Sequence, residues 1–209
     1  MRAILMITAF LVAAGLAAPS AQADQTIRIG VLQFGTVNWE LDTVQRHGLD
    51  EKNGFTLDVV LLASNQATTV ALQAGDVDMI VSDWLWASRQ RATGRNFTFV
   101  PFSSAVGAIM VPPDSDIQSI DDLRDRKIAV AGSPIDKGWL LLRGLSNREY
   151  GFDLEEANEV VFGAAPLLSQ MALQGEVDAA LNYWHFSARL EAAGFRRISD
   201  SNEGAIALG

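Results

Sequence analysis

Short apolar runs alternate with amphipathic stretches along this chain, and glycine closes most of the latter. Thr26 to Phe34 and Phe55 to Ala63 are apolar enough for buried strands, and Glu40 to Asn53 between them reads as a helix stopped at Gly54. Ser64 caps a predicted helix to Ala74, Val77 to Val81 reads as a strand, and Ser82 caps a helix to Thr93. Phe97 to Phe102 is a further predicted strand. Ser103 to Met110, followed by Pro112 and Pro113, reads as an extended crossover. Beyond it come a short helix from Ile120 to Asp125 capped by Ser119 and a strand from Lys127 to Ala131. A helix opens at Gly132-Ser133-Pro134, with Ser at the cap and Pro in the first turn. Asn158 to Phe162 and Val177 to Leu181 are strands, Pro166 starts the helix between them, and an aromatic helix ends at Gly194 before a strand from Phe195 to Ile198. This β-α-β-α order predicts parallel sheet with helical crossovers.

The pattern repeats. Gly75-Asp76-Val77-Asp78 is followed by Trp84, Arg89 and Gly94, and Gly175-Glu176-Val177-Asp178 is followed by Trp184, Arg189 and Gly194. A duplicated unit of this size predicts two similar lobes, and the cleft between two lobes is a common place for a small ligand. The expected division is lobe one over 24–104 and lobe two over 105–195. Residues 196–209 then begin a return into lobe one that the chain is too short to complete, which reads as C-terminal truncation.

Met1 to Ala23 is set apart. Arg2 precedes an apolar run from Ala3 to Ala18, and Ala21-Gln22-Ala23 is an A-x-A site, so a signal peptide cleaved after Ala23 is expected. The chain has no cysteine, so an exported product must rest on an ordinary core, which 49% hydrophobic residues over 209 positions can supply. A net charge of −9 argues against nucleic acid as a partner. With no HExxH, GxSxG or GxxxxGK[ST] sequence, and only two histidines, local support for a catalytic or metal site is lacking, and no cofactor is expected.

Taken in order, several pieces are similar to one family. They are Ile29-Gly30-Val31, the loop Phe34-Gly35-Thr36 before Trp39, Ala71 to Asp78, Ser119 to Arg124, Lys127 to Val130 with Gly132-Ser133, and Ala172 to Asp178. The chain resembles the periplasmic solute-binding proteins of ABC importers, in the branch that takes nitrate, sulfonates, taurine and pyrimidine precursors. The resemblance implies a type II periplasmic-binding-protein fold, in which each lobe is a mostly parallel sheet flanked by helices. It implies a non-catalytic, periplasmic, monomeric protein that binds a small solute, sulfonate-like or aromatic, and hands it to an inner-membrane ABC permease. Two alternatives on the same fold are a periplasmic solute sensor and an enzyme like the pyrimidine-precursor synthases, for which His185 is the candidate.

In such a fold the ligand meets loops at the carboxyl ends of strands, where helix N-termini also point. The first candidates are therefore Gly35, Thr36 and Trp39 on one loop and Ser64, Asn65 and Gln66 on the next, the latter three serving either the ligand or plain capping. Ser133 and Lys137 lie on a third loop, where Asp136 reads chiefly as a helix-start charge. The last candidates are two matched triplets, Ser82-Asp83-Trp84 and Asn182-Tyr183-Trp184, expected to face each other as pseudo-symmetric mates. Asp83 leaves the sign of the ligand's charge open.

Overall fold

The structure, a computed structural model, describes residues 25–209, so the signal peptide and cleavage site expected over 1–23 lie outside the described residues. Two sheets organise the rest. In the first, β1 (Gln25–Leu32) lies between β2 (Phe55–Leu62) and β3 (Met79–Ile80), all parallel. Its helices are α1 (Val37–Arg46), α2 (Leu49–Lys52), α3 (Asn65–Ala74) and α4 (Trp84–Ala92).

The second sheet holds β4 (Ala108–Val111), β5 (Lys127–Ala131), β6 (Glu159–Gly163), β7 (Ala179–Asn182) and β8 (Arg196–Asp200), in the order β6-β5-β7-β4-β8. Strands β6, β5 and β7 are parallel, and β4 runs antiparallel to both β7 and β8. Helices α5 (Lys137–Leu145), α6 (Ala165–Leu173), α7 (Trp184–Ala192) and α8 (Ser201–Leu208) accompany it. The two lobes are unequal in core. Lobe two buries two hydrophobic clusters, one around Ile109, Ile128, Trp139 and Leu142 and one around Met110, Ala129, Leu168 and Leu190. Lobe one has one small buried cluster, Ile29, Val31 and Leu57, with half-buried neighbours on α1.

The sequence repeat has a mechanical meaning. In both copies the helix stops at a left-handed glycine, with φ of 82° at Gly75 and 72° at Gly175. The next N–H reaches back over the last turn, from Asp76 to the Ala71 carbonyl and from Glu176 to that of Met171. Each copy then ends in an aspartate that ties its strand to the start of another. Asp78 donates its N–H to the Arg28 carbonyl, and its Oδ2 accepts the Arg28 N–H at 2.8 Å. Asp178 does the same with Lys127, at 2.9 and 2.8 Å. In lobe one the Arg28 guanidinium adds two bonds to the Asp78 carboxylate and, with the Arg28 backbone N–H, holds its pKa down at about 2.

Four elements depart from expectation. Phe97 to Phe102 forms no strand. The run is apolar enough, but no strand among the described residues offers it a ladder, and Pro101 has no N–H to donate. Of the crossover expected over Ser103 to Met110, only β4 is extended in a sheet. The long helix expected from Glu40 to Asn53 starts at Val37 and breaks at Gly48, which is left-handed at φ 57°. Finally, β8 does not return to lobe one. Its backbone finds a partner in β4, and α8 lies on α5, with Leu208 against Gly144 and Gly204 against Leu141. Residues 196–209 therefore belong to lobe two.

Candidate functional site

The two sheets point the carboxyl ends of their parallel strands at one another. Between them lies a cavity of about 400 Å³. Lobe one supplies the loop after β1, the start of α3 and the start of α4. Lobe two supplies the start of α5 and the start of α7, and the crossover chain from Phe102 to Gly107 forms the remaining wall.

Of the residues singled out in the sequence, Gly35, Thr36, Asn65, Gln66, Ser82, Asp83, Ser133, Lys137, Tyr183 and Trp184 line this cavity. Four do not. Ser64 is spent on its helix, its Oγ accepting the Ala67 N–H at 3.1 Å. Asn182 is buried, with its amide donated to the Ala165 carbonyl and its Oδ1 accepting the Tyr183 N–H. Trp39 is turned outward, 63% exposed, and touches the site only through an edge-on contact with Trp184.

Trp84 is the clearest correction. Asp83, not Ser82, caps α4, so Trp84 is the first helical residue and points to solvent, 49% exposed. Trp86, two positions on, faces the cavity instead and is stacked on Phe97 at 5.5 Å. The matched triplets are thus matched in sequence but not in their indoles. The position of the cap decides which aromatic faces inward.

The same shift occurs at α5. Ser133 sits in a turn and Asp136 is the cap, with Oδ1 accepting the Gly138 N–H at 2.9 Å. Gly132 makes this possible at φ 101°, where the Asp136 carboxylate occupies the space a side chain would take. Trp86 and Asp136, which the sequence did not mark as ligand contacts, line the cavity, as does His185, expected only for the enzyme alternative. For Asp136 the available signal was Lys137-Gly138 after an acid, a plausible helix start one turn later than Pro134.

Three contacts join the lobes across the cavity mouth. The Asn65 amide donates to the Tyr183 hydroxyl at 3.1 Å, leaving the phenolic hydrogen for another acceptor. Trp39 meets Trp184, and Phe34 meets Phe186, each edge-on at 6.5 Å between centroids.

The cleft's protonation states follow from burial. Burial pushes the Asp136 carboxyl up to about 6, and the negative charge of Asp83 on the opposite lobe pushes the same way, against the Gly138 N–H and Lys137. Burial, with Asp136 adding to it, also raises the Tyr183 phenol, which stays protonated. His185 is lowered by burial first and by Arg189 second, against the Phe34 backbone, so its imidazole is neutral at pH 7. It is packed on Phe186 at 4.3 Å, and neither ring nitrogen has a well-formed hydrogen bond. Among the described residues no group of three or more His, Asp or Glu side chains is placed to hold a metal ion.

This arrangement has the room and the mixed polar and aromatic lining to enclose a small molecule. The family of phosphonate periplasmic substrate-binding proteins of ABC transporters matches residues 46–203. The chain belongs to that family. Its members are binding proteins, not enzymes. Solved structures share the fold. The periplasmic aliphatic sulphonate binding protein SsuA from Escherichia coli is 23% identical, with a TM-score of 0.65 over 87% of this chain and 62% of that one. The alkanesulfonate-binding SsuA from Xanthomonas axonopodis pv. citri, bound to MOPS, is 19% identical, with a TM-score of 0.65 over 84% and 61%. A sulfonate-binding protein from Methylobacillus flagellatus KT is 18% identical, with a TM-score of 0.58 over 85% and 57%. The chain therefore spans less than two thirds of the length of each. No curated protein matches it.

Proposed function

We propose that this chain is the solute-binding component of an ABC importer. It takes a small organic molecule in the periplasm and presents it, as a monomer, to an inner-membrane permease. The observation that carries the reading is the cavity between the two lobes, lined by four helix starts of a chain in a periplasmic substrate-binding family. The contacts between Asn65 and Tyr183 and between the paired aromatics give the closed form its own stabilisation. Solute binding then biases the lobes toward closure about residues 102–107, and the permease reads the closed state. Among the described residues no helix is long and apolar enough to cross a membrane.

The test is a thermal-shift and calorimetric screen of the full chain against small organic solutes of both charge signs, sulfonates and phosphonates included. Saturable, one-to-one binding with quenching of tryptophan fluorescence is expected. The absence of any saturable ligand would count against the reading.

Once a ligand is found, the tryptophans distinguish the observed site from the symmetric one. Trp86→Ala is expected to weaken binding by about 1–3 kcal/mol, the scale of one buried aromatic contact. Trp84→Ala should change it by less than about 0.5 kcal/mol, as an exposed side chain away from the cavity does. Titration calorimetry on both variants checks this, and equal losses would return Trp84 to the site.

A further inference from the structure

We infer that the solute of this cleft carries a positive charge, an ammonium or a protonated nitrogen heterocycle, held between Asp83 of lobe one and Asp136 of lobe two. The inference deepens the proposed function and rests on it. An anion-binding cleft of this architecture would use the free N–H groups of its helix starts. Here two of the four helix starts on the cavity, one from each lobe, present a capping carboxylate to it, while α7 has no side-chain cap. Asp83 Oδ1 takes the Trp86 N–H at 2.8 Å and Asp136 Oδ1 takes the Gly138 N–H at 2.9 Å. An entering sulfonate or phosphonate would meet carboxylates there.

Two further observations point the same way. The charged side chains on the cavity wall are Glu40, Asp83 and Asp136 against Lys137 and Arg89, an excess of one negative charge. The wall also carries Trp86, Tyr183 and Trp184, whose ring faces attract cations.

The geometry also explains how binding closes the lobes. Two carboxylates approaching across a dry cleft repel each other. A cation between them removes the repulsion and adds an attraction to each lobe, so it favours the closed form over the open one. A proton can do part of the same work. The charged and titratable groups that share the cavity wall with Asp136 are Asp83 and Arg89 on α4 and its cap, Glu40 from α1, Lys137 from its own helix, and Tyr183 and His185 from the start of α7. With Asp136 titrating at about 6, its carboxylate is ionised at pH 7.5 and about nine-tenths protonated at pH 5. Affinity for a cation therefore falls as pH falls, by about tenfold over that interval for this group alone.

The test uses matched skeletons with opposite charge, phenethylamine against 2-phenylethanesulfonate and propylamine against propanesulfonate, titrated into the full chain by calorimetry. The amine of each pair is expected to bind at least tenfold tighter at pH 7.5 and to lose most of that advantage at pH 5. Asp83→Asn and Asp136→Asn keep a good helix cap, so folding is retained and melting temperature verifies it. Each should weaken the amine by about tenfold or more, leave the sulfonate unchanged or improved, and, for Asp136→Asn, flatten the pH dependence. Tighter binding of the sulfonates, or amine affinity indifferent to both substitutions, would overturn the inference while leaving a solute-binding protein intact. Failure of either charge class to bind in these pairs and in the wider solute screen would overturn both.

Discussion

Trp139→Ala is expected to remove about 3–5 kcal/mol of stability, the cost of emptying a large aromatic site in a core that cannot collapse around it. Trp139 has no exposed surface and is the largest fully buried side chain of lobe two. It packs with Ile109, Ile128, Val130, Leu142 and Leu154 and meets Phe162 edge-on at 6.1 Å. Its indole N–H points to Glu155 Oε2 at 3.4 Å, and Glu155 is itself held by Arg143 at 2.6 Å. The alanine variant therefore loses ring contacts with β4, β5, β6 and its own helix and leaves part of a polar network without its donor. At roughly 2–4 °C per kcal/mol for a chain of this size, the melting temperature should fall by about 6–20 °C. Trp139→Phe keeps most of the volume and should cost less than half as much. A loss below about 1 kcal/mol for the alanine variant in thermal or urea unfolding would show that this side chain is not the centre of the core.

The fold was legible because its governing signals are local and repeated. Gly75 and Gly175 stop helices in the left-handed conformation, and the aspartates at 78 and 178 tie their strands to β1 and β5. Any chain with that spacing must bring α3 and α6 to corresponding places. Strand Phe97 to Phe102 failed for the opposite reason. A strand exists only if another backbone lies beside it, and composition carries no information about a partner that sequence neighbours do not supply. The placement of β8 failed similarly, since which sheet accepts a strand is decided by the free edge of β4.

The site was legible as a set of loops but not as a set of atoms. Serine is as good a cap as aspartate, so Ser82-Asp83 and Ser133-Pro134-Ile135-Asp136 each offered two helix starts. In both cases the aspartate serves as the cap. One residue of shift at α4 turned Trp84 outward and Trp86 inward. It also placed the Asp83 carboxylate, as the cap of α4, on the cavity.

The crossover offers the second large effect, at Gly107. Its φ is not in the left-handed region, so its constraint is space alone. A Cβ built there would lie 1.8 Å from the Asn182 carbonyl oxygen and 2.8 Å from its carbon. Both are backbone atoms at the end of β7, and the Gly107 carbonyl is meanwhile held by the Ser201 N–H at 3.2 Å. Gly107→Ala must therefore push β4 away from β7 at the point where the chain enters lobe two, or push the Asn182-Tyr183 turn toward the cavity. The expected cost is about 3 kcal/mol, at the upper end for overpacking because no flexible side chain can yield. Affinity should fall as well, since Tyr183 lines the cavity and carries the hydrogen bond from Asn65 across it. Gly144→Ala is the control. There the added Cβ meets only the end of the Leu208 side chain, at 2.8 Å, and alanine favours the helix. Its melting temperature should stay within about 2 °C of the parent, against a fall of roughly 6–12 °C for Gly107→Ala. If the two variants melt together, the close approach at Gly107 is relieved without cost, and the crossover is looser than this geometry requires.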